Sequence, residues 1–584
     1  MKREDIKLED QWDLSLIYKT HDEFYKDLET AKELLNKLLT LKDTYLDTIV
    51  NFITFHNKQV ELGRYVQKLY NFAHLHCDVE PNEQAYQTMY ASIMSFYNTM
   101  SSSLDFYSVT LIENSGKVKE YLNDERLKDY RYSINEILRQ KKHTLSLEIE
   151  SVISKTSSMA DVASNVFDAL RLEYDPVIID GKEHFLNSAT LSEFLKNKDE
   201  NVRKQAYHNF FKEYKKYENV FAATLSGTMY KDAFYADVRK FETPLHASLF
   251  NDNVPTSLFY KILEKANNQY IHLFHEYNLL KKKILKMDTI HNYDLSVPLV
   301  EFETKKYTIE ECFDIILDVV KVFGDEYVNI IKSAKDERWI DFYPHTGKRT
   351  GAYSSGCYDT KPYILMNFIG DYNSLSTLIH ELGHSCHTYL SSQNQSPVNS
   401  DYRIFVAEVA STVNETLLIN YMLEHASSKE EKAYFLYELL ESCVGLMYRQ
   451  PFFANFEDIL HQKAASQEPM SAKIITDLYM DLNQKYYGEG IAMDELVGHS
   501  CFYVPHFYYN YYVYKYTLGM TVALAIVSRI LSGDEKQKDA YLNFLKSGGS
   551  KYPVDQTKEA GIDLTNKETL RLIVKTIKEG SYEN

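Results

Sequence analysis

Along most of this chain, apolar residues recur three and four positions apart, the period of helices that bury one face. The spacing predicts amphipathic helices over 21–50, 52–76, 84–112, 118–122 and 130–156, separated by short polar breaks such as Glu80-Pro81-Asn82. One hairpin is predicted, where Pro176-Val177-Ile178-Ile179 and His184-Phe185-Leu186 flank Asp180-Gly181, a pair suited to a tight turn. Helical spacing resumes from Ser192 through Tyr217 and continues to about Lys286. It gives way to a mixed segment over 287–307 and returns from Thr308 to Ser333. No 20–50-residue repeat, low-complexity segment or long linker is visible, which argues against a solenoid.

The pattern then changes. Gly347, Gly351 and Ser354-Ser355-Gly356 lead into the run Pro362-Tyr363-Ile364-Leu365-Met366-Asn367-Phe368, which predicts a short strand. Two readings of that strand stand side by side: one that pairs with an extended peptide, and an ordinary internal strand of a small sheet. Asn367, polar within the apolar run, is expected to face a cleft. Asp371-Tyr372-Asn373-Ser374 follows with several N-cap candidates, and Leu375, Leu378, Ile379 and Leu382, extended by Tyr389 and Leu390, form the apolar face of a packed helix. Met520 to Leu531, interrupted by Thr521 and Ser528, reads as a buried helix.

Composition narrows the class. Hydrophobic residues make up 44% and charged residues 25% of 584, as in an ordinary soluble globular protein, and the length suggests two or more subdomains. A formal net charge of -18 disfavours a nucleic-acid partner, since phosphate binding needs a basic surface. Met1-Lys2-Arg3-Glu4-Asp5 shows no secretory signal and no stretch reaches membrane-spanning length, so neither export nor a membrane partner is expected. The six cysteines are scattered without paired spacing, which favours reduced thiols and a cytoplasmic location. Oligomeric state leaves no mark in the sequence.

The chemistry concentrates at His380-Glu381-Leu382-Gly383-His384. On a helix the two imidazoles share one face, one turn apart, where they can bind one Zn²⁺ while Glu381 reaches a water on the metal. The competing reading, a surface helix with two solvated histidines, sits poorly with the apolar face around the motif. Gly383 costs roughly 1 kcal/mol relative to Ala inside a helix, so a neighbour is expected to approach its backbone closely. A catalytic zinc typically has a third protein ligand. Glu408, in Phe405-Val406-Ala407-Glu408-Val409-Ala410, is an acid in an otherwise apolar stretch, costly there unless it is metal-bound or ion-paired. Glu415, seven residues on, lies on roughly the same face; it either orients a ligand imidazole or has a structural role. Cys386 is read as a small buried residue, and His387 as a packing or substrate-contacting residue outside the ligand set.

Together, His380-Glu381-Leu382-Gly383-His384 and Phe405-Val406-Ala407-Glu408 resemble the metal site of the M3 family of zinc oligopeptidases. Trp12-Asp13-Leu14-Ser15, the run Gly347 to Gly356, Tyr358-Asp359-Thr360-Lys361-Pro362-Tyr363 and His506-Phe507-Tyr508 are similar to its oligoendopeptidase F branch. The resemblance spans nearly the whole chain. It implies a mainly α fold, a thimet-oligopeptidase-like helical bowl or clamshell with a deep channel and a small β-sheet beside the metal helix. It implies an N-terminal helical domain over 1–190 and a catalytic domain over 191–584. It also implies a cytoplasmic enzyme that cuts short peptides internally and excludes folded proteins. Carried over residue by residue, it gives His380, His384 and Glu408 as ligands of one zinc per chain and Glu381 as general base. A tyrosine-rich helix of the family supplies transition-state donors; here His506 and, in the register that fits best, Tyr511 and Tyr514 take that place, although the extra tyrosines over 508–516 allow other registers. Two alternatives share these features: a helical zinc carboxypeptidase, and a non-catalytic peptide-binding relative.

Overall fold

Side-chain hydroxyls set where the long helices begin. The computed structural model describes residues 2–303 and 305–565. In it α1 spans His21–Leu39, with the Thr20 hydroxyl accepting the Glu23 N–H, and α2 spans Ile49–Val79, with Thr48 capping Asn51 in the same way. The helix expected over 21–50 therefore divides after Leu39: its last two residues belong to the helix expected over 52–76, which starts at Ile49. The polar segment 40–48 forms turns, and Thr48 satisfies an N–H that would otherwise be orphaned at a new helix start. The helix expected over 84–112 divides likewise into Gln84–Ser103 and Phe106–Glu113. Ser102 and Ser103 turn their hydroxyls back onto the carbonyls of Asn98 and Thr99, the local competition that ends helices. Thr308 caps Ile309–Val320 in a reciprocal pairing with Glu311. A 3₁₀ turn over Lys321–Phe323 then separates that helix from Asp325–Asp336, where one helix to Ser333 was expected.

The described residues form a mainly helical protein with three small sheets, and no helix among them is long and apolar enough to cross a membrane. Two compact units emerge. The first gathers the segments up to Leu147, from Thr304 to His425 and from Thr521 onward; the second gathers Glu148–Glu303 and Ala426–Met520. The boundary expected near residue 190 falls inside the second unit.

In the first unit, β1 (Ile340–Asp341), β2 (Tyr353–Ser355) and β3 (Tyr363–Leu365) make a sheet ordered β1-β3-β2, parallel between β1 and β3 and antiparallel between β2 and β3. The predicted strand is thus the central one. Tyr363, Ile364 and Leu365 are wholly buried, Ile364 and Leu365 are paired on both sides, and β1 and β2 are the edges. Asn367 does not face a cleft: its amide donates to the carbonyls of Arg349 (3.0 Å) and Gly351 (2.7 Å) and ties down the glycine-rich loop. The Trp12-Asp13 segment docks on this sheet. Trp12 packs edge-on against Tyr363, whose hydroxyl donates to the Asp13 carbonyl at 2.9 Å. α3 (Tyr372–Asn394) packs on this sheet, and α4 (Ile404–Glu424) packs on α3. Asp371 proves to be the cap of α3, accepting both the N–H and the hydroxyl of Ser374.

In the second unit, Val177–Ile179 and Lys182–His184 form the expected hairpin. Asp180 and Gly181 both have positive φ (51° and 74°), as the twist-matched two-residue turn requires. Its further elements include α5 (Gln450–Ala465) and a 3₁₀ turn over Pro505–Tyr508, after which α6 (Tyr514–Leu531) begins.

Candidate metal centre

α3 and α4 cross at Gly383. A Cβ there would lie 2.9 Å from the Ser411 Cα and 3.0 Å from the Ala410 carbonyl oxygen, so the crossing excludes any side chain. Buried Asn414 stitches the same crossing, donating to the Ile379 carbonyl at 3.2 Å and accepting the Tyr327 hydroxyl at 3.0 Å. Gly383→Ala is expected to lower stability by about 1–3 kcal/mol through overpacking against backbone, read as a lower denaturant midpoint. An unchanged midpoint would mean that the helices separate without penalty.

This crossing brings together three of the candidate ligands. His380, His384 and Glu408 present ligand atoms that all lie within 4.8 Å of one another. The two imidazoles point Nε2 at Nε2, 3.2 Å apart. Their remaining nitrogens are spoken for: His380 Nδ1 lies 3.1 Å from Glu415 Oε2, and a ring N–H of His384 donates to the Ala407 carbonyl. Each partner orients its ring so that Nε2 faces the other ligand atoms. Glu415 thus takes the orienting role rather than the structural one.

Glu381 sits beside this group, 6% exposed. The Ser354 backbone N–H, on edge strand β2, donates to its carboxylate. Its Oε2 is buried with no hydrogen-bond partner, an expensive condition unless something polar occupies the adjoining space. All four residues line one cavity of about 580 Å³, together with Ala352–Tyr358 and Asp401-Tyr402.

The electrostatics describe a site that favours a cation. Burial pushes Glu381 up to about 7, with Glu408 and Glu415 adding to the rise and His380 opposing it. Burial also raises Glu408, helped by Glu415. Burial pulls His380 down, but the hydrogen bond and charge of Glu415, with Glu381 and Glu408, outweigh it and hold His380 near 9. His384 is driven well below its usual value by burial and by the charge of His380. The carboxylates thus keep positive charge on His380. Two imidazoles and a carboxylate at this spacing fit one zinc ion with a coordination position left over.

Cys386 is fully buried, as expected. His387 is a packing residue. It is fully buried, stacked on Tyr402 at 3.6 Å, and burial holds it neutral with a pKa near 3.

His506, Tyr511 and Tyr514 belong to the second unit. The stretch expected as one tyrosine-rich helix is not helical between Tyr509 and Val513, so three-residue spacing does not place Tyr511 and Tyr514 on one face. His506 is half-buried, its ring near those of Tyr509, Tyr512 and Tyr516. Tyr511 is 1% exposed and its hydroxyl donates to Asp458 Oδ1 at 2.9 Å. Tyr514 is equally buried, its ring edge-on to Phe259. Sequence reasoning missed the Ser354 N–H, since a backbone donor carries no side-chain signature. It also missed Glu457, Asp458 and His461 of α5, although two acids and a histidine in a largely apolar helix were a visible signal.

A family model described as Peptidase family M3 matches residues 193–574, and one described as Oligopeptidase F matches residues 114–173. Over 99% of its length the chain is 37% identical to Oligopeptidase PepF of Bacillus subtilis (strain 168), covering 87% of that protein. Among solved structures, a peptidase candidate from Chlamydophila abortus superposes with a TM-score of 0.90 at 30% identity, over 99% of this chain and 98% of that one. An oligoendopeptidase-F from Enterococcus faecium superposes with a TM-score of 0.74 at 27% identity, over 96% and 98%.

Proposed function

The chain belongs to peptidase family M3, in its oligopeptidase F branch, and on that premise we propose that it is a zinc-dependent endopeptidase acting on internal bonds of short peptides. The observation that carries the reading is the unpartnered, buried Oε2 of Glu381 beside three converging ligand atoms. A bound zinc ion supplies a Lewis acid and lowers the pKa of a water from near 16 toward about 7.

The chain's own residues do the rest. His380, His384 and Glu408 hold the ion; Glu415 and the Ala407 carbonyl keep both imidazoles in the ligating tautomer. Glu381 takes a proton from the attacking water at Oε2 and delivers it to the leaving amine. Edge strand β2, in the wall of the same cavity, offers main-chain groups to an extended peptide, which favours recognition independent of side chains. For donors to the developing oxyanion we assign His506 and Tyr514, on the strength of the family resemblance. Tyr511, whose hydroxyl is committed to Asp458, is the weaker candidate. Six unpaired thiols support the cytoplasm as its compartment.

Elemental analysis of the purified protein and mass spectrometry of a digested mid-length peptide test this directly. One zinc per chain and products cut at internal bonds are expected. Stepwise loss of single C-terminal residues would make it a carboxypeptidase, and zinc binding without any cleavage would make it a peptide-binding relative.

A further inference from the structure

Asn510 and Tyr511, between the Pro505–Tyr508 turn and α6, have φ of 47° and 55°. They are the only consecutive non-glycine pair with positive φ among the described residues. Left-handed backbone is disfavoured for L-residues, and for a bulky aromatic it is an outlier. Such a conformation persists where the surroundings over-determine it, and it clusters at functional sites.

Here α5 over-determines it from three sides. Glu457 accepts the Tyr511 N–H, Asp458 accepts the Tyr511 hydroxyl at 2.9 Å, and the His461 ring stacks on the Tyr511 ring at 4.4 Å. Glu457 and His461 are fully buried and Asp458 nearly so. Asp232 Oδ2 lies 3.2 Å from His461 Nε2, and the Glu457 carbonyl lies 3.0 Å from His461 Nδ1. From another side, the Ser248 hydroxyl donates to the Asn510 carbonyl at 2.9 Å. Burial pushes Glu457 up to about 8, and its Oε2 has no partner. Apolar residues would pack this helix more cheaply, since a buried charge must be compensated. What the charged set gives is one backbone geometry.

We propose that Glu457, Asp458 and His461 are positioning residues that clamp Asn510–Tyr511 in left-handed backbone and so aim the side chains of 506–516, His506 foremost, at substrate. The proposal rests on the reading that His506 acts on substrate. The clamp touches no reacting atom; it fixes where the chain turns between the segment carrying His506 and the start of α6.

The test uses the full-length zinc-loaded enzyme and one internally quenched peptide. Glu457→Leu removes the acceptor for the Tyr511 N–H and is expected to lower kcat by about tenfold to a hundredfold, as misaimed groups do, with KM, zinc content and far-UV circular dichroism unchanged. Glu457→Gln keeps an acceptor and is expected to restore most of kcat. A Glu457→Leu enzyme with wild-type kcat and KM overturns the proposal. Should Glu457→Leu fail to fold, Asp458→Ala decides: lowered kcat at constant KM, restored by Asp458→Asn, supports the clamp, and wild-type kcat overturns it. His506→Ala separates the two layers. Wild-type activity there removes the reading on which the clamp depends; impaired activity there, with both clamp variants unimpaired, removes the clamp alone.

Discussion

Glu381→Gln is expected to lower kcat for peptide hydrolysis by a factor on the order of 10³, within the range that a positioned general base contributes, while metal content stays at that of the wild type. The amide keeps the shape of the side chain and still offers an oxygen to the Ser354 N–H, so neither α3 nor β2 has reason to move. What is lost is proton affinity at the one oxygen that has no other partner. The ligands His380, His384 and Glu408 are untouched, which makes metal analysis the control that separates lost chemistry from a lost site. An acid limb in the wild-type pH–rate profile that disappears in the variant would strengthen the assignment, and a variant with full activity would sink it.

Stripping the metal with a chelator is expected to abolish activity, and adding zinc back to restore it. Binding that favours the folded state also raises thermal stability, by about 4 kcal/mol at a free concentration a thousandfold above Kd. The pH dependence follows from His380. Its pKa is held near 9 because Glu415, Glu381 and Glu408 outweigh burial, so in the metal-free protein at pH 7 it is protonated and cannot ligate. Proton and metal compete for it. Metal affinity therefore rises with pH, by roughly tenfold per unit for one displaced proton, and levels off as pH passes about 9. Titrating the metal-free protein in two buffers of different ionisation enthalpy reads the released proton directly. Affinity that stays flat between pH 7 and 9 would mean that His380 is neutral before the metal arrives. Glu415→Gln is the matching control, since it removes the main group that holds the proton there.

Much of this centre was legible in the sequence because its ligands come from two helices, and helices convert spacing into geometry. His380 and His384 lie one turn apart whatever surrounds them. Glu408 announced itself as an acid among apolar neighbours, and Gly383 as a position where a neighbour had to come close. Other features follow different rules. Periodicity continued through 40–48, yet Thr48 starts a new helix, because one capped N–H decides an end that an apolar pattern cannot mark. Asn367 looked like a cleft residue and instead holds the loop at Arg349 and Gly351, since a carboxamide on a strand is as useful to a neighbouring backbone as to a ligand. Tyr511 was placed by the register of the family resemblance, in a stretch that proves not to be helical, where left-handed φ turns its side chain toward α5.

The crossing at Gly383 carries a consequence for descent. One letter of the metal motif answers to architecture rather than to chemistry, because only hydrogen fits between that backbone and Ser411. A lineage that abandoned hydrolysis would be free to exchange His380, Glu381 and His384 while still being held to glycine between them. In a silenced copy of this protein the glycine would persist as a fossil, marking where an active centre once stood.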